Sequence, residues 1–207
     1  MIRRYQMAAA AACALCFAPA GAVDFSFTGS LTEPSEVQFF DFSVGAFSTV
    51  TLRTWSYAGG VNAAGDLIPR GGFDPILALF ELPGGAKIGE NDDGPFGTVD
   101  PDPVSGRAWD TFFVVDLDPG LYRVSVAVYP NFSSGDNLAD GFDGADTFDD
   151  VSGVPDNPRT ANWAFDILNV ESAVVVPGIP EPATWGLMIA GFGFVGFAAR
   201  RRRMVAA

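Results

Sequence analysis

The chain of 207 residues contains no histidine. That absence removes a Ser-His-Asp triad and any zinc held by imidazole. Only two cysteines are present, Cys13 and Cys16, and both sit near the N-terminus. From residue 23 onward the protein has no thiol nucleophile, no thiolate metal site and no disulfide, although an exported compartment would permit one. Neither a Gly-x-Ser-x-Gly elbow nor a phosphate-binding Gly-x-x-x-x-Gly-Lys loop occurs. Positive charge is scarce between residues 23 and 176. Six basic residues (Arg53, Arg70, Lys87, Arg107, Arg123 and Arg159) face 24 acids, the chain's 25 less Glu181, a balance of −18. Such a surface repels nucleic acid and anionic membranes and attracts divalent cations or basic partners. The stretch also lacks helical periodicity and any repeat of fixed length.

What remains is a succession of strands. Residues 24–31, 37–44, 48–55, 76–82, 111–117, 121–129 and 163–170 are rich in Phe, Val and Ile, and several alternate with period two. Residues 121–129 are the clearest case: Tyr122, Val124, Val126 and Val128 face inward, and Arg123, Ser125 and Ala127 outward. Turn chemistry separates the runs at Gly71-Gly72, Pro83-Gly84-Gly85, Asp92-Asp93-Gly94 and Asp118-Pro119-Gly120. About seven strands with two faces to cover predict an all-β fold, an antiparallel β-sandwich. Aromatic residues make up 13% of the chain, enough to fill the space between two sheets.

The two ends carry different signals. Residues 1–22 combine Arg3 and Arg4, a short Ala-rich apolar run and a small-residue exit, the layout of a secretory signal helix cleaved near Ala22. Neither cysteine in it has the usual lipoprotein context. At the other end, linker 177–182 contains Pro180-Glu181-Pro182. An uncharged apolar run follows at 183–199, then Arg200, Arg201, Arg202 and Arg203 within the basic tail 200–207. Seventeen apolar residues make a helix of about 26 Å, at the short end of what spans a bilayer. The arginine block stops transfer and stays cytoplasmic, so everything before it lies outside. This layout predicts a signal peptide (1–22), a sandwich domain (23–176), a transmembrane helix (183–199) and export through the Sec translocon to the inner membrane. The Pro-Glu-Pro-Ala-Thr-Trp start, the Gly-rich run and the arginine block resemble the PEP-CTERM sorting signal of Gram-negative bacteria. The resemblance implies recognition by an exosortase, followed by a cell-surface or extracellular location, often within an exopolysaccharide or biofilm matrix.

Within the body, Gly72-Phe73-Asp74-Pro75-Ile76-Leu77-Ala78-Leu79-Phe80, then Asn91-Asp92-Asp93-Gly94 and Leu117-Asp118-Pro119-Gly120-Leu121-Tyr122, resemble bacterial pre-peptidase C-terminal-like domains. That resemblance implies a jelly-roll-like sandwich acting in secretion, attachment or polymer binding without catalysis. Such domains usually accompany an enzyme, whereas here the sandwich is nearly the whole mature chain. Two acidic stretches are candidates for Ca²⁺, which takes six to eight oxygen ligands. The tighter is Asn91, Asp92 and Asp93, joined by Asp74 or Asp110. The broader is the loop 130–162, with Asp136, Asp140, Asp143, Asp146, Asp149, Asp150 and Asp156, which otherwise reads as a solvated acidic insert. Two functions follow as expectations. One is a non-catalytic exported protein binding Ca²⁺ or extracellular polysaccharide. The other is a carbohydrate-active enzyme using a carboxylate pair about 5–10 Å apart in a deep cleft. Trp55, Trp109 and Trp163 are candidates for stacking on sugar rings, although packing roles compete.

Overall fold

The computed structural model describes residues 21–150 and 157–177. The signal helix, Pro180-Glu181-Pro182, the transmembrane run 183–199 and Arg200–Arg203 lie outside the described residues, as does Asp156. Eleven strands form: β1 (Val23–Ser30), β2 (Gln38–Val44), β3 (Ser48–Thr54), β4 (Gly60–Val61), β5 (Leu67–Ile68), β6 (Pro75–Leu82), β7 (Lys87–Asn91), β8 (Phe112–Leu117), β9 (Gly120–Val128), β10 (Asn162–Val170) and β11 (Ser172–Val176). All seven runs read from the sequence become strands.

Every pairing between these strands is antiparallel. One sheet has the order β1-β10-β3-β8, the other β11-β2-β9-β6-β7, and β4-β5 form a small separate hairpin. β1 pairs with β10, β2 with β9, β3 with β8 and β6 with β7. The chain is thus one long hairpin rolled across two sheets, which is jelly-roll topology. β11 is an extra strand on the edge beside β2.

Alternation explains the core. Phe40, Phe42, Leu77, Leu79, Val124 and Val126 of one sheet meet Val50, Leu52, Trp163, Phe165 and Ile167 of the other. Phe40 sits at the centre, its ring centroid 5.0 Å from that of Phe165 and 5.5 Å from that of Trp163, the latter pair nearly perpendicular. Each such side chain contributes about 1.5–3 kcal/mol by leaving water. Gly29 is required here, because a Cβ would lie 2.3 Å from the Trp163 ring that crosses beneath it.

The outward reading of Ser125 and Ala127 is corrected: both are buried. The acidic loop after β9 folds back over the outer face of the five-stranded sheet. Phe142 from that loop packs 5.8 Å from Phe39 and 6.4 Å from Phe80. Ser125 Oγ then donates to the Ala78 carbonyl. β6 is consequently buried on both faces through Phe80. β4, β5, β7 and β11 are strands beyond the seven read from the sequence. β7 carries Gly89 at a point where a Cβ would lie 2.7 Å from the Phe113 ring.

Candidate metal centre

The β6–β7 hairpin builds the site. Leu77 pairs with Asn91, so the residue before β6 and those after β7 emerge at the same open end. Asp74 and Asp92-Asp93 therefore meet although 18 positions separate Asp74 from Asp92. One oxygen from each of Asp74, Asp92 and Asp93 lies within 4.8 Å of the other two. They grade outward: Asp74 is buried, with 6% of its surface exposed, Asp92 is half-buried and Asp93 exposed.

No ion pair among the described residues includes any of the three. Asp74 Oδ1 and Asp92 Oδ1 are buried with no hydrogen-bond partner. Buried carboxylate oxygens in that condition cost several kcal/mol when ionised. Asp74 accordingly titrates at about 9, pushed up first by burial and then by Asp92, Asp93, Asp110 and Asp150. Burial, Asp93 and Glu90 raise Asp92 to about 6. Asp93 is raised by burial and by Asp110. Three hard oxygen donors with room toward solvent are the donor chemistry of Ca²⁺ or Mg²⁺.

The other two predicted ligands are engaged differently. Asn91 Oδ1 accepts from the Phe112 amide at 3.2 Å, and its Nδ2 donates to the Asp93 carbonyl at 3.0 Å. It fastens the turn that presents Asp92 and Asp93. Asp110 sits close enough to raise Asp74 electrostatically, but its carboxylate accepts from the amides of Tyr57 and Ala58 and from Thr54 Oγ1. Burial still raises its pKa against those bonds. Asp110 therefore ties the end of β3 to the start of β8 beside the cluster.

The described part of the acidic loop brings its carboxylates to no common point. Asp140 caps the Asn137 amide, Asp143 accepts from Ser134 Oγ, and Asp149 accepts from the Arg159 amide. Asp150 takes the Tyr57 hydroxyl and Arg159 Nε.

A second centre escaped the sequence reading. The Arg159 guanidinium is fully buried, 3.4 Å above the Tyr57 ring. It donates to Asp150, to Asp102 and to the Tyr57 carbonyl. Asp102 also receives Nε and Nη2 of Arg70. Burial pushes Asp102 upward, but hydrogen bonds from Arg70 and Ser105 and the nearby Arg159 charge overcome it and bring it down to about 2. Burial and the bond to Asp150 push Tyr57 up to about 12. This network locks four loops together beside the acid cluster.

The tryptophans are committed to packing. Trp163 is in the core. Trp55 lies under Arg53 at 3.6 Å and donates Nε1 to Asp166. Trp109 packs 5.2 Å from Tyr57.

At the C-terminus, residues 178–203 match the PEP-CTERM protein-sorting motif. The chain carries an exosortase sorting signal. The PEP-CTERM match indicates export, with a membrane-anchored precursor processed by an exosortase in a Gram-negative bacterium. It covers only the tail, and no curated protein matches the chain.

Proposed function

We propose that the sorted body is a non-catalytic, Ca²⁺-binding β-sandwich that works at the cell surface or in an extracellular polysaccharide matrix. The observation that carries this reading is the trio Asp74, Asp92 and Asp93, with two buried oxygens that no hydrogen bond satisfies. An incoming divalent cation would supply the missing partner and offset the mutual repulsion of the three acids. Asp74, Asp92 and Asp93 would hold it, and Asn91 and Asp110 would keep their turn in place.

A binding role is favoured over glycosidic catalysis by the shape of the surface. Among the described residues, the surface hollow bounded by Val44, Phe47 and Glu171 has one carboxylate. The one at Arg70, Asn162 and Trp163 has none, and the one at Asp41 and Val174 has one. Paired carboxylates facing each other across a cleft are what sugar hydrolysis needs. The likeness of residues 72–128 to pre-peptidase C-terminal-like domains points to attachment or polymer binding as well.

The test is calorimetric titration of the metal-free mature protein with Ca²⁺, alongside its melting temperature. Heat of binding and a higher Tm are expected, both lost in Asp92→Asn/Asp93→Asn. Absence of both in the native protein refutes the cation reading.

A further inference from the structure

The sandwich has two ends, and the strand register assigns each terminus to one of them. Val176 pairs with Phe39, and Gln38 Nε2 donates to the Val176 carbonyl at 3.1 Å. Gln38 lies in one cross-strand row with Val126, Leu77 and Asn91. The last strand therefore leaves the body at the end that carries Asp74, Asp92 and Asp93. The first strand enters at the opposite end: Val23 pairs with Val170, near the turn that holds Phe47.

From residue 177 to the start of the apolar run at 183 there are six residues. Fully extended, they reach about 20 Å. Four strand spacings, roughly 19 Å, separate β11 from β7 across the sheet. In the membrane-anchored precursor β11 therefore leaves the body within about one linker length of the bilayer, at the same end as the acid trio.

Two features of that end suit a lipid surface. Phe96 follows Asp92-Asp93-Gly94 in the connection to β8, and its side chain is fully exposed, at 107%. Val104 in the same connection is exposed as well. A free aromatic ring beside a polar cluster matches the interfacial preference of such side chains. The carboxylate trio also opens outward through Asp93, so a cation bound there would keep coordination positions facing the membrane.

We propose that the end bearing Asp74, Asp92, Asp93 and Phe96 docks on the phospholipid surface from which the tail emerges, a divalent cation bridging these carboxylates to lipid phosphates and Phe96 entering the interface. The orientation follows from the tether and the register. The cation bridge rests on the function proposed above, and it answers the question of how a body of net charge −18 approaches anionic lipid at all.

The experiment uses the full chain with Cys13→Ala and Cys16→Ala, so that one introduced cysteine is unique. Phe96→Cys and Phe47→Cys, both at exposed positions, are labelled with a polarity-sensitive fluorophore. The protein is reconstituted in phosphatidylcholine vesicles with or without phosphatidylglycerol, in Ca²⁺ or in chelator. Expected is a several-fold rise in emission and quenching by brominated lipid at position 96, in anionic vesicles with Ca²⁺, and no change at position 47. No response at 96 while calorimetry records Ca²⁺ binding overturns docking and leaves the cation site standing. A response at 96 that ignores both chelator and lipid charge overturns the bridge. Equal responses at 96 and 47 overturn the orientation.

Discussion

Replacing Asp74 by Asn should have opposite effects with and without Ca²⁺. In the metal-free protein the Asp74 carboxyl titrates at about 9, against an ordinary value of 3.8. Its folded pKa is raised, so its contribution to stability is complete below about pH 4 and is lost as pH climbs toward 9. At pH 7 the folded group is protonated and the unfolded one is not. Folding must therefore take up a proton across about 3.2 pH units, at about 1.4 kcal/mol each, an upper bound of about 4 kcal/mol. Because the folded value lies well above 7, this bound depends on the unfolded value alone. Asn removes the proton cost but brings a buried amide whose unmet hydrogen bonds take back about 1–3 kcal/mol. The expected net gain for Asp74→Asn without metal is about 1–3 kcal/mol at pH 7, shrinking to nothing or reversing near pH 4. With Ca²⁺ at a thousand times its Kd, the native protein gains about 4.1 kcal/mol and the variant does not, so the order of stabilities reverses. Urea unfolding of the mature protein followed by tryptophan fluorescence, in chelator and in Ca²⁺, at pH 4 and pH 7, reads all four values. An Asp74→Asn protein less stable than native in chelator at pH 7, or one still raised by Ca²⁺, would refute the argument.

Three further outcomes are expected. Arg159→Met removes the cation shared by Asp102, Asp150 and the Tyr57 ring and should cost about 3–5 kcal/mol in urea unfolding, as loss of one partner from a buried ion pair does; a loss under 1 kcal/mol would mean that the network is passive. Phe142→Ala uncovers Phe39 and Phe80 and should cost about 1–2 kcal/mol, with faster protease cutting between residues 130 and 150 than elsewhere; unchanged cutting would separate that loop from the sheet beneath it. Pro180→Ala/Pro182→Ala should leave the tail attached, read as intact mass of protein recovered from cells, and a normally shortened product would show that sorting ignores those prolines.

Strands were legible wherever one face meets solvent and the other meets the core, as in Val50, Leu52 and the outward Thr49, Thr51 and Arg53. Legibility failed where a covering segment buries the second face. Nothing local to Ser125 or Ala127 says that Phe142, arriving 15 residues later, will close over them. β7 was hidden for the opposite reason: Lys87 and Glu90 on a covered edge look like loop residues. Yet Lys87 Nζ donates to Ser133, and Glu90 accepts from the Ser133 amide and hydroxyl. The acid trio was legible because a hairpin is nearly symmetric about its turn. A turn at Pro83-Gly84-Gly85 sets Asp74 and Asp92 at matching distances on either side. The Arg159 network has no such symmetry. Tyr57, Arg70, Asp102 and the pair Asp150 and Arg159 lie on four separate loops, and only the finished sandwich brings them together.

Those two centres give the strongest physical reason to regard the trio as a site. The chain has only six cations in its body and places them deliberately. Arg70 and Arg159 neutralise Asp102, Arg159 also reaches Asp150, and Arg123 takes Asp41 through two parallel bonds. At buried Asp102 two guanidiniums meet the acid, and at buried Asp110 two backbone amides and a hydroxyl do. At Asp74 neither is supplied, although Arg159 and Asp110 lie in the adjoining loops. A lone carboxylate at that position would be better replaced by Asn for folding alone, which is the comparison the Asp74→Asn measurement makes. Three acids that converge without a counter-charge fit the proposed role, in which their partner arrives from solution as a cation.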